Sequence, residues 1–551
     1  MRRWRPPSGP ARVEPVLDDV RTGFGLAVGL PGYLRRVIDF DRARELIRRR
    51  LRQRAADFLV LARRAIYEQA ESPYRALLAA TGCEMGDLER LVCGEGLEGA
   101  LSALARRGVY LTVDEFKGRR PVARGSLRLQ LEPAQFRNPL SHQHVVSRSG
   151  GSRGPRVPVP LDLENLYDRS LRTLLPILAN GGAEWALAVW KVPGGALPTL
   201  LQHALRRKLP ERWFLMLDPR GPRIPSRYRL SASLVHHVSR LAGRPLPAGE
   251  NVSLGNPDPI VRWMTGVLER RETPHLDTFS GAAVELSRAA RASGTDLQGA
   301  HFCLVGEPLT EARLATIRST GAQVVSRYST SETGPLASGC LRPSVVDDQH
   351  LLEDGHAVIR AGDAQAGTLP VDALLVTSVP QTTSLVHLNV ALGDRGDLDE
   401  RACGCPLEPF GWTRHISGIR SYEKLTAHGM TFLDADVIRV LEQTLPSRFG
   451  GGPNDYQLVE SSRSDGRPLL LLRVHPRVPA AEPAGIARVF LEAVAAGGAP
   501  QRLMSQVWRD ARLIEVVREP PAVSAGGKIL HVVGAPGPPV PPRPSGAPTS
   551  R

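Results

Sequence analysis

The sequence predicts a mixed α/β protein with more than one domain. At 551 residues the chain is longer than a single hydrophobic core usually supports. Strand-like and helical runs alternate from about residue 161 to residue 340, which is typical of α/β architecture. Short apolar runs follow at Ala357–Arg360 and Ala373–Ser378, as in antiparallel strands. We therefore expect a large N-terminal α/β domain with a β subdomain, followed by a small C-terminal α+β domain.

Four parts are expected along the chain. They are a basic helical extension over residues 1–64, a large domain over 65–417, a small C-terminal domain over 418–533 and a disordered Pro/Gly-rich tail over 534–551. The small domain should contain strands at Tyr456–Glu460, Pro468–Val474 and Leu513–Val517, and helices at 434–445 and 484–495.

An arginine-rich helix is predicted from Asp41 to about Ala70. A basic amphipathic helix could contact a membrane surface or RNA. Ile47 and Phe58 lie on its apolar face, which favours a solvated helix packed on a core instead. Ser72-Pro73 is a typical start for the helix that follows.

The net charge of +15 is carried almost entirely by arginine. Only five of the 71 basic residues are lysines, so a lysine in this chain is a candidate for a position where arginine cannot replace a compact ammonium. The charge is dispersed, and we expect no nucleic-acid partner. No stretch approaches the roughly 20 apolar residues of a membrane span, and no apolar signal core follows the basic N-terminus. With only six cysteines, the chain is expected in a reducing cytoplasm.

A polar cluster follows two short strand-like runs, His301–Val305 and Ala322–Val325. It consists of Tyr328, Ser329, Thr330, Ser331 and Glu332. Open α/β sheets bind ligands beyond the carboxyl ends of their strands. A tyrosine can stack on a base, hydroxyls can hold phosphate oxygens and a carboxylate can hold magnesium, so the cluster suits a nucleoside triphosphate. A simple Ser/Thr-rich turn is the alternative.

A flexible loop precedes the alternating region. It contains Ser149, Gly150, Gly151, Ser152, Arg153 and Gly154. Its exposed backbone N–H groups and its arginine could wrap phosphates, although a plain Ser/Gly linker has the same composition. Further along, Leu392–Asp397 is predicted to form an acidic glycine turn.

Six motifs in a fixed order carry a family resemblance. They are the Ser149–Gly154 loop, Gly306-Glu307-Pro308, Tyr328–Glu332, Gly393-Asp394, Arg420 and Gly526-Gly527-Lys528. In these motifs the chain resembles the adenylate-forming (acyl-CoA synthetase-like) superfamily, and within it the phenylacetate–CoA ligase and coenzyme F420 adenylating group. The resemblance covers roughly residues 65–533.

The resemblance implies a role for each motif. The Ser149–Gly154 loop would hold the β- and γ-phosphates of ATP, and Gly306, Glu307 and Pro308 would lie beside the adenine. Tyr328 would pack on the base, and Ser329, Thr330 and Ser331 would belong to the same ATP site. Glu332 would hold Mg²⁺, and Asp394 would bind the ribose hydroxyls. Arg420 would lie near the hinge to a mobile small domain. Lys528 would stabilise charge at the α-phosphate and the acyl oxygen.

The sequence also departs from the family pattern. Ser329 replaces the usual glycine, and no lysine follows the phosphate loop. A catalytically degenerate homologue that acts as a binding or scaffold protein is therefore kept as an alternative. The presence of Glu332, Asp394, Arg420 and Lys528 favours a working enzyme.

Three cysteines and a histidine follow the polar cluster. They are Cys340, His350, Cys403 and Cys405. Three thiols and one imidazole suit a tetrahedral structural zinc ion, and some relatives in this group carry a Cys/His metal site here. Three free cysteines brought near one another by the fold are the alternative.

We therefore expect an ATP- and Mg²⁺-dependent ligase that activates a small carboxylic acid through an acyl-adenylate. The expected acceptor is coenzyme A, with an amine or a carrier thiol as the alternative. The sequence does not identify the acid, and it leaves a homodimer open.

Overall fold

The computed structural model is a mixed α/β structure, as the sequence predicts. It describes residues 25–141, 145–148, 158–218, 226–365, 368–422, 434–462, 468–497, 505, 508–509, 513–523 and 529–533. Several predicted features lie outside these residues: the phosphate loop (Ser149, Gly150, Gly151, Ser152, Arg153 and Gly154), Lys528 and the tail from 534 to 551.

We number thirteen of the α-helices in the described residues. They are α1 (Phe40–Ala62), α2 (Pro73–Ala80), α3 (Met85–Arg106), α4 (Val113–Phe116), α5 (Leu163–Ala179), α6 (Pro193–His203), α7 (Ser226–Leu241), α8 (Asp258–Glu269), α9 (Ser280–Ala292), α10 (Glu311–Arg318), α11 (Asp434–Arg439), α12 (Leu445–Phe449) and α13 (Pro483–Ala495). Residues 25–34 are also helical, and π-helical turns follow α1 and α11. The predicted start of α2 is confirmed, with Ser72 at the N-cap and Pro73 at the first helical position.

Twenty strands complete the secondary structure of the described residues. They are β1 (Val122–Arg124), β2 (Leu127–Leu129), β3 (Val145–Arg148), β4 (Pro158–Leu161), β5 (Ala186–Lys191), β6 (Arg212–Leu215), β7 (Gly249–Asn251), β8 (Pro274–Phe279), β9 (His301–Val305), β10 (Gln323–Thr330), β11 (Gly334–Gly339), β12 (Gln349–Leu351), β13 (His356–Arg360), β14 (Ala373–Ser378), β15 (Val390–Glu400), β16 (Arg414–Ser421), β17 (Tyr456–Ser462), β18 (Pro468–Val474), β19 (Ile514–Val517) and β20 (Val532–Val533).

One twelve-stranded sheet organises the large part of the chain. Its order is β13-β14-β15-β16-β12-β11-β10-β9-β8-β5-β6-β7. The strands from β10 to β7 are parallel, and those from β10 to β13 are antiparallel. The predicted antiparallel strands are therefore present, but they continue the parallel sheet and do not form a sheet of their own. The two halves meet at β10, which pairs in both ways.

A second, four-stranded sheet contains the C-terminal strands in the order β19-β18-β17-β20. Leu458, Leu472 and Phe490 belong to a buried apolar cluster that this sheet shares with the C-terminal helices. The cluster is separate from the cores of the large sheet. Strand β16 spans the predicted boundary at residue 417 and ends at Ser421. The domain limits stay a prediction.

The arginine-rich helix α1 packs on the large sheet's helices. Ile47 and Phe58 are buried, each in a different apolar cluster. On its polar side, Arg50 pairs with Asp168 at 2.6 Å and Arg54 pairs with Glu98 at 2.7 Å. These contacts support the prediction that the helix packs on a core. Within the described part of the chain, every helix is too short or too polar to span a bilayer.

The acidic glycine turn predicted at 392–397 is wrong. These residues lie within the eleven-residue strand β15, which pairs with β14 and β16. Gly393 does adopt a left-handed φ of 97°, and the pairing with β16 shifts register between Arg395 and Asp397. The segment is a strand because β14 and β16 supply hydrogen bonds on both sides. Its glycines produce local irregularities within that strand.

A buried cluster of charged side chains surrounds Asp277 of β8, in the parallel half of the large sheet. The Asp277 carboxylate lies 2.6 Å from Lys191 Nζ, 3.1 Å from His203 Nε2 and 3.2 Å from Arg327 Nη1. Burial opposes ionisation, but Lys191 and Arg327 hold the pKa of Asp277 well below its usual range. Lys191, one of the five lysines, is therefore a buried counterion.

We expect Asp277→Asn to lower the free energy of unfolding by about 3–5 kcal/mol, because it leaves buried cations without their carboxylate. Urea denaturation measures the effect. Glu164→Gln is the control, since Glu164 is 61% exposed and pairs with Arg36 at the surface; its cost should stay below about 1 kcal/mol. Equal costs for the two variants would contradict this view of the cluster.

Candidate active site and metal centre

The predicted polar cluster lies where the sheet changes from parallel to antiparallel. Strand β10 pairs in parallel with β9 as far as Arg327 and in antiparallel fashion with β11 from Arg327 to Thr330. The cluster was expected just beyond a strand, but the strand continues to Thr330 before it reverses at Gly334. A bulge between Tyr328 and Ser329 interrupts the antiparallel pairing. The side chains thus lie beyond the end of the parallel pairing with β9.

Tyr328 and Asp394, which are 66 residues apart, are joined by a hydrogen bond. The Tyr328 hydroxyl donates to Asp394 Oδ2 at 2.9 Å, and Tyr328 N donates to Gln349 Oε1 at 2.6 Å. Burial and the Asp394 carboxylate raise the pKa of Tyr328 well above its usual range, so the phenol stays a donor. The structure therefore brings together the two residues assigned by resemblance to the base and the ribose.

The rest of the cluster forms a tight turn. The Thr330 hydroxyl accepts from Thr333 N at 3.1 Å and lies 2.9 Å from the Thr333 hydroxyl. Ser331 is exposed, and Glu332 is half-buried. We find no hydrogen bond or ion pair between Glu332 and any residue that the structure describes. Its carboxylate interacts through charge with Arg169 and Tyr328.

Arg420 lies beside the same strand as Asp394. In the pairing of β15 with β16, Arg395 is opposite Arg420 and Asp394 is opposite Ser421. The Arg420 guanidinium donates to Asp347 Oδ2 at 3.0 Å. The arginine predicted near the hinge therefore forms an ion pair with a residue of the loop between β11 and β12.

The Gly306-Glu307-Pro308 segment follows β9. The Glu307 carboxylate is 1% exposed and accepts from Arg313 Nη1 at 2.8 Å, from Gly281 N at 2.6 Å and from Ile529 N at 2.8 Å. This carboxylate is already satisfied, so any contact with adenine would have to come from the backbone around it. It also anchors Ile529, the residue that follows Lys528 in the sequence.

A buried ion network connects the C-terminal sheet to the large sheet around this point. Glu442 pairs with Arg313 Nε at 3.0 Å and with His531 Nε2 at 2.5 Å. The Thr310 hydroxyl donates to the same carboxylate. Burial opposes ionisation, but His531 and Arg313 lower the pKa of Glu442 below its usual value. The network therefore joins helix α10, which follows β9, to C-terminal segments around Glu442 and His531.

The four predicted metal ligands converge. The ligand atoms of Cys340, His350, Cys403 and Cys405 all lie within 4.8 Å of one another. His350 Nε2 is 3.1 Å from Cys405 Sγ and 3.6 Å from Cys403 Sγ. His350 Nδ1–H donates to the Trp412 carbonyl at 2.7 Å, which leaves Nε2 as the ligand atom. The residues fit a closed, tetrahedral Cys₃His zinc site.

The backbone around these cysteines is also arranged for thiolates. Each sulfur accepts the N–H of the residue two positions later: Arg342 N to Cys340 at 3.4 Å, Cys405 N to Cys403 at 3.4 Å and Leu407 N to Cys405 at 3.3 Å. Hydrogen bonds from Cys340 and His350 lower the pKa of Cys405, whereas the hydrogen bond to Cys405 raises the pKa of Cys340 and burial raises the pKa of Cys403. Cys405 is therefore the thiol of the cluster that most readily becomes a thiolate, and a bound metal ion would favour deprotonation of the other two.

One charged residue near the candidate site was not predicted from the sequence. Arg169 on α5 is buried, and its charge interacts with Glu332. No local motif marks it, because its position depends on how α5 packs against β11. Strands β3 and β4, which precede α5 and flank the predicted phosphate loop, pair with Arg148 opposite Pro158.

No protein-family model matches the chain, and no curated protein matches it by sequence. The crystal structure of 2-hydroxyisobutyryl-CoA ligase with 2-HIB-AMP and CoA is similar with a TM-score of 0.44 and 15% identity, over 91% of this chain and 92% of that chain. An amide bond synthetase from Marinactinospora thermotolerans has a TM-score of 0.37 and 15% identity, over 74% of this chain and 70% of that chain.

Acetoacetyl-CoA synthetase from Streptomyces lividans is also similar. Its TM-score is 0.40 at 13% identity, over 74% of this chain and 56% of that chain. At these values the similarities assign neither a family nor an activity to this chain.

Proposed function

We propose that this chain is an ATP-dependent ligase that activates a carboxylic acid as an acyl-adenylate and transfers the acyl group to coenzyme A. The hydrogen bond between Tyr328 and Asp394 carries the proposal. It unites an aromatic ring and a carboxylate near Glu332, beyond the end of the parallel pairing of β9 and β10. A nucleotide site needs these groups for its base, its ribose and its metal-bound phosphates.

In the first step a carboxylate oxygen of the acid attacks the α-phosphorus of ATP, and pyrophosphate leaves. Two anions approach each other, so positive charge must be supplied at the α-phosphate. By the sequence resemblance, Lys528 supplies it. Asp394 would accept the ribose hydroxyls, while the Tyr328 hydroxyl holds that carboxylate in place.

Magnesium is expected to accompany the nucleotide. Glu332 fits it, because its half-buried carboxylate forms no hydrogen bond or ion pair within 4 Å with any described residue. The bound ion would neutralise charge on the phosphates. In the second step the thiol of coenzyme A attacks the acyl carbon, and AMP leaves. This order of reactions is that of a phenylacetate–CoA ligase-like enzyme.

Pyrophosphate release from the full-length protein tests the proposal. The protein is incubated with ATP, Mg²⁺ and a panel of aromatic and aliphatic acids, and release should depend on one class of acid. Adding coenzyme A should then yield a thioester, whereas product formation only with amines would identify an amide-forming ligase. No acid-dependent release across the panel would overturn the activity in favour of a non-catalytic binding protein.

Tyr328→Phe is expected to weaken ATP binding about 2- to 10-fold, which corresponds to one lost hydrogen bond of about 0.5–1.5 kcal/mol. The change removes only the hydroxyl that orients Asp394. Calorimetric titration with MgATP measures it. Tyr67→Phe is the matched control, because it removes a hydroxyl that donates to the Cys83 carbonyl at 3.1 Å. If the two variants bind ATP equally well, Tyr328 does not position a nucleotide-binding group.

We also propose that Cys340, His350, Cys403 and Cys405 bind one structural Zn²⁺. Four protein ligands leave no open position for a substrate, so the ion would stabilise the fold and take no part in the reaction. Cys340 follows β11, and His350 lies in β12, next to β11 in the sheet. The ion would thus brace the antiparallel strands next to the candidate nucleotide site.

A further inference from the structure

Helix α5 carries two buried arginines one turn apart, and both lie against glycine backbone. Arg169 is 7% exposed and Arg172 is 1% exposed. A Cβ on Gly334 would lie 2.7 Å from Arg169 Nε, and a Cβ on Gly355 would lie 2.6 Å from Arg172 Nε. Gly334 also has a left-handed φ of 78°. Glycine is therefore required at the turn of the polar cluster for the Arg169 side chain to fit beneath it.

The two arginines differ in their partners. Arg172 Nε donates to Asp354 at 2.8 Å in a fully buried pair. For Arg169, we find no hydrogen bond or ion pair with any residue in the described ranges, and its Nε is buried without an acceptor. An unpaired guanidinium is costly to bury. Among the described residues, therefore, Arg172 has a carboxylate partner and Arg169 has none.

The Arg169 guanidinium is charged under physiological conditions. Burial and the neighbouring Arg172 lower the pKa of Arg169 to about 10, while Glu332 acts in the opposite direction. Glu332 is the carboxylate whose charge favours the protonated group, yet the two side chains do not form an ion pair within 4 Å. The Arg169 guanidinium and the Glu332 carboxylate thus lie at the same turn without forming an ion pair.

The anion that fits this position must tolerate a nearby carboxylate. A free carboxylate or halide between Arg169 and Glu332 would be repelled by Glu332. A phosphate that brings a divalent cation avoids this conflict, because Glu332 can bind the cation while Arg169 binds a phosphate oxygen.

We propose that Arg169 is a phosphate-binding residue that holds an oxygen of the pyrophosphate part of Mg²⁺-bound ATP. This assignment rests on the proposed adenylating function and adds a phosphate ligand from α5 to it. Arg169 interacts through its charge and its N–H donors, so lysine should replace it only in part.

The test is calorimetric titration of the full chain with Mg²⁺–ATP, Mg²⁺–pyrophosphate and AMP, without any acid. Arg169→Gln should weaken binding of ATP and pyrophosphate at least 10-fold and change AMP binding less than twofold. Arg169→Lys should recover part of the loss. Equal binding of ATP by the wild type and Arg169→Gln would overturn the assignment, and so would a parallel loss of AMP binding.

Urea denaturation separates a binding role from a structural one. Arg169→Gln removes a buried charge that has no ion-pair partner among the described residues, so the variant should unfold at the wild-type urea concentration or above it. Arg172→Gln leaves Asp354 buried without its cation and should unfold at a clearly lower urea concentration. Loss of stability in Arg169→Gln as large as in Arg172→Gln would overturn the assignment. A wild-type protein that binds none of the three ligands would instead contradict the adenylating function itself, and Arg169 would lose its role with it.

Discussion

Lys528→Ala is expected to lower the rate of adenylate formation about 10²- to 10³-fold, or about 3–4 kcal/mol in activation free energy. The ammonium is the group that the proposed mechanism uses to stabilise charge at the α-phosphate and the acyl oxygen. The next residue supports this assignment, because Ile529 N donates to the buried Glu307 carboxylate at 2.8 Å, directly after the strand β9 that leads to the candidate site. Acid-dependent pyrophosphate release measures the effect.

Lys208→Ala is the control for this variant, since Lys208 pairs with Glu272 at 2.5 Å, outside the candidate site. Its activity should equal that of the wild type. Lys528→Arg should remain impaired, because a planar guanidinium does not reproduce a compact ammonium. Thioester formation from a synthetic acyl-adenylate should be affected much less than the first step. Unchanged pyrophosphate release in Lys528→Ala would sink the catalytic assignment.

Cys405→Ser is expected to abolish stoichiometric zinc binding and to lower the free energy of unfolding by about 4 kcal/mol or more. The reason is that binding energy at a structural metal site is also folding energy. Elemental analysis of the purified wild-type protein should find one zinc ion per chain. Chelation of the wild type should reproduce the loss of stability, which urea denaturation with and without added Zn²⁺ measures.

Cys93→Ser is the matched control, because Cys93 is an exposed thiol that does not belong to the cluster. Its metal content and stability should equal those of the wild type. A metal-free wild-type protein, together with equal stabilities of the two serine variants, would show that the cluster holds three free thiols and no ion.

Local structure could be predicted from the sequence where one periodic signal dominates. Strands β9, β14 and β18 are observed residue for residue as expected, because each is a short apolar run bounded by polar or turn-forming residues. These features depend on neighbours along the chain.

Tertiary context decided the features that were wrong or missed. Leu392–Asp397 has the composition of a turn, but β14 and β16 on either side make it a strand. The Glu307 carboxylate accepts hydrogen bonds from Arg313 and from the backbone N–H groups of distant segments. Arg169 owes its position to a glycine that lies 165 residues later in the sequence. None of these partners can be identified from a local pattern.

The candidate site was partly predictable because its chemistry is concentrated in short motifs. Tyr328 and Asp394 were assigned to one nucleotide by resemblance, and they form a hydrogen bond. The three cysteines and His350 were grouped by residue type, and they converge. The predicted phosphate loop and Lys528 lie outside the described residues, so their roles stay predictions.

Transfer of an oxygen isotope from acid to AMP tests the central claim most directly. An acid that supports pyrophosphate release is supplied with ¹⁸O in both carboxylate oxygens, together with ATP, Mg²⁺ and coenzyme A. If an acyl-adenylate forms, one labelled oxygen bonds to the α-phosphorus and remains there when the thiol displaces AMP, so mass spectrometry should find AMP with one ¹⁸O. Unlabelled AMP, or ADP with the label in inorganic phosphate, would contradict adenylate formation.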